Sequence, residues 1–339
     1  MTFDKVTDFF KTSFHKIKEK FNKSKETEDK KKKPVSPLMV GLAVVLTLYV
    51  ISMVVPLSWM LITTIKTHRE YAGGFVDGAW LKANPLWLPR WTKDYKGFTF
   101  SNYKTAYQNF YIRAPIIYEG KEYTAKYYIL PMFINSIKFS VGSAIAMTFT
   151  TLVMGYAAAR FKYKFSEFIY LLVLVTMALP IVGSLPSEIA TAQALGIYGS
   201  FIGIWIMRST FLNTYFLIYY AQFKMIPMDY TEAAKIDGAT PFAVMFKIIV
   251  PLASSTTAAI FVLNFIALWN DFQIPMIYLP YNPVAAYGMY KFINEPVLEI
   301  TSDTVRLAGV CLVAFPIVVF YAIFNKKLNV NLSVGGIKG

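Results

Sequence analysis

Charge is scarce in this chain: 16% of its 339 residues are Asp, Glu, Lys or Arg, while 55% are hydrophobic. A water-soluble globule of that composition has too few polar groups to cover its surface, so lipid is the solvent the sequence implies. Histidine and cysteine are scarcer still. His15 and His68 fall outside the apolar runs, and Cys311, the sole cysteine, falls inside one. An internal disulfide is therefore excluded, Cys311 reads as apolar packing, and no His/Cys metal site is expected. No segment fits GxxxxGK[ST], the phosphate-cradling loop and lysine of a nucleotide hydrolase.

What is present in quantity is apolar sequence in runs long enough to cross a hydrocarbon core of roughly 30 Å as helices. The runs read as six spans: Leu38 to Ile65, Ile134 to Ala159, Phe165 to Val182, Ile197 to Tyr220, Ser254 to Leu279 and Leu307 to Phe324. The expected fold is all-α, one polytopic membrane domain over residues 38–325 flanked by tails at 1–37 and 326–339. Lys plus Arg number 34 against 20 acidic residues, a net charge of +14. The lysines crowd the tail before Leu38, the link Arg160 to Lys164 and the end after Lys326 and Lys327. The opposite links, Gly183 to Gly196 and Pro280 to Arg306, are neutral or mildly acidic near the membrane. That asymmetry is the positive-inside pattern, which puts both termini in the cytoplasm and argues against nucleic acid as the basic residues' partner. The tail is too long and too lysine-rich for a cleaved signal. Phe3, Val6, Phe10, Phe14, Ile17 and Phe21 fall on one helical face, which suits either a basic amphipathic helix on the inner leaflet or a solvated tail.

Two connections are too rich to be plain links. Residues 66–133, outside the membrane, are expected to fold: Glu119-Gly120 sits between Ile116, Ile117, Tyr123 and Tyr127 as in a short hairpin, and Phe100 to Phe110 has helical aromatic spacing. Either a docking surface for an extracytoplasmic partner or a cap packing its own aromatics fits. On the cytoplasmic side, residues 222–252 contain IPMDYTEAAKIDGATPFAVMFKIIVPL. Asp229 with Glu232 three residues on has the form of a capping box opening a short helix. Gly238 supplies a turn, Thr240 a second cap, and Pro241 the first position of a second helix. Phe242, Met245, Phe246, Ile249 and Leu252 are expected to hold this hairpin against the membrane, with Pro251 closing it.

This stretch resembles the EAA loop of ABC importer permeases, with Glu232, Ala233, Ala234, Asp237, Gly238, Ala239, Phe246 and Pro251 in register. FSNYKTAYQNF, FINSIKFSV, AAARFKYKF, LWNDF and the terminal GGIKG are similar to the carbohydrate-uptake branch of that family. The resemblance runs from Leu38 to Gly339. It implies a bacterial cytoplasmic-membrane permease, not itself an enzyme, that forms half of a translocation pathway. The partners implied are a homologous second permease, two ATP-binding cassette subunits carrying the ATP and Mg, and an extracytoplasmic solute-binding protein. This chain would bind no cofactor of its own. The implied cargo is carbohydrate, of the malto-oligosaccharide type ahead of plant or host glycan fragments or glycerol phosphates.

Arg208 and Asp271 are charges at comparable depth in the fourth and fifth spans, where isolated charges are costly and pair or face a cavity. With Asn264, Trp269 and Asn270 they form a candidate lining of the path, since sugars take hydroxyl-binding groups and an aromatic face. A structural pair or a subunit-interface contact is the alternative, and the stronger of the two readings. The competing class, a secondary transporter or channel acting alone, would call for more intramembrane carboxylates or an internal repeat, and Asp271 is the one clear acidic candidate.

Overall fold

The computed structural model describes residues 36–76, 79–91, 96–161, 163–179, 183–294 and 302–331. The aromatic face expected at Phe3 to Phe21, the segment Pro180 to Val182 and the terminal Leu332 to Gly339 lie outside the described residues. Compact units divide between Met60 and Leu61, so the first unit's described part is the bulk of one helix and the second holds the remainder.

That helix, α1 (Pro37–Thr64, 28 residues), carries no charged side chain. Its hydroxyls turn back on their own backbone, Thr47 donating to Ala43 O and Ser52 to Tyr49 O, each at 2.7 Å, which satisfies polar atoms where water is absent. After α1 the chain folds into a cap. It comprises α2 (His68–Ala72), strands β1 (Gly74–Val76) and β2 (Ala79–Leu81), α3 (Ser101–Asn109), and strands β3 (Tyr111–Tyr118) and β4 (Lys121–Tyr128). Both strand pairs are antiparallel ribbons. The expected hairpin turn falls at Glu119-Gly120, where both residues take positive φ (50° and 72°), as a two-residue turn matched to strand twist requires. The ribbon is longer than expected, pairing Tyr111 through Tyr128. The chain is thus mostly helical, with an all-α reading corrected by these two sheets.

A buried polar knot fixes the cap to the end of α1. Lys66 Nζ donates to Asn84 O (2.9 Å) and Pro85 O (3.1 Å), and Asn102 Nδ2 donates to Thr64 O (2.7 Å) and Lys66 O (2.6 Å). Fully buried Glu70 accepts from Asn84 Nδ2 and from Arg90 Nε at 3.0 Å. Burial pushes its carboxyl pKa up, yet the hydrogen bonds from Asn84 and Arg90 and the guanidinium charge outweigh that and hold it below the ordinary glutamate value. Gly97 allows the approach: a Cβ there would lie 2.9 Å from Glu70 Cδ.

The centre of the second unit is α4 (Ile129–Arg160), which begins five residues before the expected span because it continues directly from β4. Its inward stripe is small: Ser136, Ser140, Ser143, Ala144, Thr148, Thr151 and Gly155. Small residues let neighbouring helices come close in lipid; a Cβ on Gly142 would overlap the Trp205 ring, and one on Gly155 would sit 2.7 Å from Tyr219 Cβ. Around α4 pack α5 (Lys164–Ala178), α7 (Phe201–Arg208), α8 (Thr214–Met225), α11 (Ser254–Asn270) and α13 (Ala285–Asn294). The remaining helices are α6 (Leu185–Ala194), α9 (Asp229–Ile236), α10 (Pro241–Leu252), α12 (Gln273–Tyr278) and α14 (Asp303–Asn331).

Among the described residues three helices are long and apolar enough to cross a membrane, α1, α4 and α14 as far as Phe324, and α10 with α11 qualifies as a pair bent by 78°. Two expected continuous spans are broken. The run Ile197 to Tyr220 is interrupted between Arg208 and Thr214, because Asn213 accepts from Tyr215 N (3.0 Å) and starts a new helix. The run Ser254 to Leu279 stops at Asn270, because Asp271 Oδ1 accepts from Gln273 N (3.0 Å) and Ile274 N (3.1 Å), opening α12.

Candidate functional site

Between α8 and α11 the chain makes a two-helix hairpin. Its first helix does not open with a capping box. Met228 already has helical angles (φ −69°, ψ −24°) and its carbonyl accepts from Thr231 N and Glu232 N, so Asp229 lies inside the first turn with no free amide to cap. Asp229 and Glu232 instead place negative charge at the positive end of the short helix. Its far end is a complete Schellman closure: Gly238 N donates to Lys235 O (3.0 Å) and Ala239 N to Ala234 O (2.9 Å), with Gly238 at φ +78°. Thr240 Oγ1 then caps α10 by accepting from Ala243 N (3.3 Å), and Pro241 takes the first helical position, as the sequence reading expects.

Within α10, Met245–Ile249 forms a π turn in which Val250 N reaches back to Met245 O. Pro251 explains it. A proline ring clashes with the carbonyl four residues earlier and donates nothing to it, and widening the preceding turn relieves both defects.

The hairpin has two faces. Ala234, Val244, Met245 and Ile249 are buried against Leu152 and Tyr156 of α4 and Tyr219 and Phe223 of α8. Glu232, Ala233, Asp237, Gly238 and Pro251 are exposed, as are Ile236 (86%) and Phe242 (75%), and Ala239 is half-buried. The expectation that five apolar residues hold the hairpin to the membrane is corrected: Met245 and Ile249 fill the chain's own core, whereas Phe242, Phe246 and Leu252 point away from it, Phe246 stacking on Phe149 at 6.3 Å. Spacing alone does not separate them, because residues 242, 245, 246 and 249 stand at i, i+3, i+4 and i+7, a single stripe of a regular helix. Two residues escaped the sequence reading. Ile236 looks like one more apolar position until the glycine turn places it at the tip. Arg160, read as a topological marker, is buried (8% exposed) at the end of α4, where its guanidinium donates to Met228 Sδ at 2.8 Å beside the start of α9.

The second group lies at the two helix breaks. Arg208, the last residue of α7, pairs with Asp271 at 3.2 Å, and both are partly exposed (31% and 21% for the side chains). Asp271 thus does two things, since its other oxygen caps α12. Arg208 is well placed at the negative end of α7. Trp269 is buried and stacks with Phe133 (6.3 Å), and Asn270 is exposed with its amide donating to Ile266 O (2.9 Å). Trp269 and Asn270 line a cleft of about 350 Å³ together with Phe272, Met289, Tyr290 and Asn294. Phe272 and Tyr290 stack at 4.6 Å there. Asn264 is not part of this group: it is buried and donates to Thr148 Oγ1 at 3.1 Å, tying α11 to α4. Nearby, Glu188 of α6 accepts from Ser184 (2.6 Å) and Tyr278 (2.9 Å), which together hold its carboxyl pKa low and join α6 to α12.

Apolar helices packed on a small-residue core, interrupted in pairs and turned back through an exposed hairpin, define a multi-pass membrane protein. Residues 151–329, which include both the hairpin and the helix breaks, match the family of binding-protein-dependent transport system inner membrane components, and the chain belongs to that family. It is 30% identical over 232 residues to the galactooligosaccharides transport system permease protein GanQ of Bacillus subtilis (strain 168), covering 66% of this chain and 78% of that one. Against the probable starch degradation products transport system permease protein AmyC of Thermoanaerobacterium thermosulfurigenes the identity is 27%, covering 89% and 96%. The fold matches a chain of a bacterial ABC transporter involved in import of the acidic polysaccharide alginate, with a TM-score of 0.65 at 19% identity over 87% of this chain and 99% of that one.

Proposed function

We propose that this chain is one of two membrane-spanning subunits of an ATP-driven importer of oligosaccharides, and that its α9–α10 hairpin is the surface through which a separate ATPase moves it. Membership of a binding-protein-dependent transport family supports import with an extracytoplasmic binding protein. The sugars named for its relatives, galactooligosaccharides and starch degradation products, support an oligosaccharide cargo, with the malto-oligosaccharide type first. Six crossings are assigned to α1, α4, α5, α7 with α8, α11 with α12, and α14. Both termini then face the cytoplasm with the hairpin. The full assembly pairs this chain with a homologous permease and two ATP-binding cassette subunits that hold ATP and Mg.

The hairpin carries this reading. Glu232, Ala233, Asp237, Gly238 and Ala239 surround an apolar tip of Ile236 and Phe242, a pattern of central apolar anchors and a charged rim that suits a protein partner. Behind it, Ala234 and the π turn Met245–Ile249 rest on α4 and α8, so displacement of the tip is passed to the spans by packing alone. Arg208, Trp269, Asn270 and Asp271 are assigned to the path, with Phe272, Tyr290 and Asn294 completing an aromatic and amide surface around the cleft.

Vesicles containing the assembled importer test the function directly. Uptake of labelled malto-oligosaccharide is expected to require internal ATP and the binding protein. Uptake driven by an ion gradient without the ATPase would contradict the proposal. In the same vesicles Gly238→Val, which forces a β-branched residue into positive φ at a cost of roughly 1–3 kcal/mol, is expected to leave ATP hydrolysis running while uptake falls.

A further inference from the structure

The cap beyond α1 carries an apolar surface that its own fold leaves uncovered. In a membrane span exposed apolar side chains face lipid as a matter of course. In a water-facing cap they call for a partner. Leu86, Trp87 and Leu88 are exposed by 67%, 78% and 69%, and Trp91 by 68%. These side chains are held out, not frayed. Asn84 locks the loop from inside, its Oδ1 accepting from Trp87 N (3.2 Å) and its Nδ2 donating to Leu88 O (2.9 Å), while the same Nδ2 reaches buried Glu70.

The position of the loop identifies what covers it. Lys66, two residues past the end of α1, bonds through Nζ to the carbonyls of Asn84 and Pro85, the residues that open the loop. The apolar loop is therefore pinned within one side chain's length of the end of a 28-residue apolar helix, the depth at which such a span would leave the hydrocarbon. Tryptophan and leucine at that depth match the interfacial region, where the indole ring lies in the acyl boundary and its N–H remains among the headgroups. The charge agrees: Lys82, exposed, borders the same 440 Å³ cleft as Leu86 to Leu88, placing a cation where lipid phosphates lie.

We propose that Leu86-Trp87-Leu88, with Trp91, is an interfacial anchor that beds the cap in the headgroup layer of the leaflet at the end of α1. A cap so anchored would hold that end of α1 while the cytoplasmic hairpin moves. This rests on α1 being a span, and the controls below separate the two claims.

In a Cys311→Ser background, bimane is attached at Trp87→Cys, Leu88→Cys, Glu119→Cys in the hairpin turn, or Leu46→Cys inside α1. The whole importer is then placed in phosphatidylethanolamine and phosphatidylglycerol vesicles. Quenching is compared between lipid carrying a doxyl group near the headgroup and aqueous iodide. The anchor predicts that labels at 87 and 88 are quenched by the doxyl lipid at least about threefold more than the label at 119, with iodide giving the reverse order. Should Trp87→Cys fail to assemble, Leu88→Cys makes the same prediction. Iodide quenching at 87 and 88 equal to that at 119, with Leu46→Cys still quenched from lipid, would overturn the anchor alone. Iodide access that disappears only when binding protein is added would overturn it in favour of a protein-docking surface. A Leu46→Cys label reached by iodide and not by lipid would overturn both the span and the anchor.

Discussion

Gly238 and Asp271 each hold a local geometry that a single substitution can test. No atom would obstruct a Cβ at Gly238, so substitution there acts through its φ of +78° alone. Asn enters that region more easily than other side chains. Gly238→Asn is therefore expected to keep most uptake, and Gly238→Val to lose it, in the same reconstituted assay; equal loss in both would mean that something other than backbone conformation matters at the turn. Asp271 both pairs with Arg208 and caps α12. Asp271→Asn keeps a capping oxygen and loses the charge, whereas Asp271→Ala loses both, and the alanine variant should be less stable than the asparagine one by about 1 kcal/mol in thermal melts of the purified complex. The charge swap Arg208→Asp with Asp271→Arg distinguishes a structural pair, which regains assembly and uptake, from a path lining, which regains assembly without uptake. Gly238, Thr240 and Pro241 were legible in sequence because each has one strongly preferred local role. Arg160 was not, since its burial depends on Met228, distant in the chain.

At the scale of elements, the α9–α10 hairpin depends on how closely Ala234 lets it approach α4 and α8. Ala234→Leu should overpack that contact and cost about 1–3 kcal/mol, seen as a lower melting temperature and as faster proteolysis in the loop, whereas Ala233→Leu on the exposed side should leave stability unchanged. The cap responds to pH. A carboxylate whose folded pKa is depressed contributes its stabilisation above the unfolded value of about 4.3 and loses it as pH falls through the folded value. Amide exchange at Asn84 and Gly97, corrected for intrinsic rate, should therefore accelerate as pH drops below the ordinary carboxylate range, and Glu70→Gln should abolish the dependence. The Glu119-Gly120 turn was readable because a positive-φ pair between alternating aromatics has few other solutions. The breaks in the runs Ile197 to Tyr220 and Ser254 to Leu279 were missed, because the polar residues at them, Arg208 to Thr210 with Asn213 and Asn270 with Asp271, read as a pair or a path lining inside continuous spans and not as the caps that interrupt the helices. The π turn was equally silent, being a backbone response to Pro251.

At the scale of the molecule, the small-residue helix α4 packs in turn against the cap, the helices at the breaks and the hairpin. It touches the cap through Met132 and the helix breaks through Phe139 and Ala144. It touches the hairpin through Leu152, Tyr156 and Arg160. Movement at one end of α4 has a packed route to the other. The claim on which this rests is that Ile236 and its neighbours meet a separate ATPase. A photo-cross-linker placed at Ile236 in the intact importer measures that contact directly. A cross-link to the ATP-hydrolysing subunit is expected in the membrane, with none from Ala234 on the buried face. A correctly inserted, transport-competent complex that yields no such cross-link from Ile236, Glu232 or Phe242 would contradict that claim.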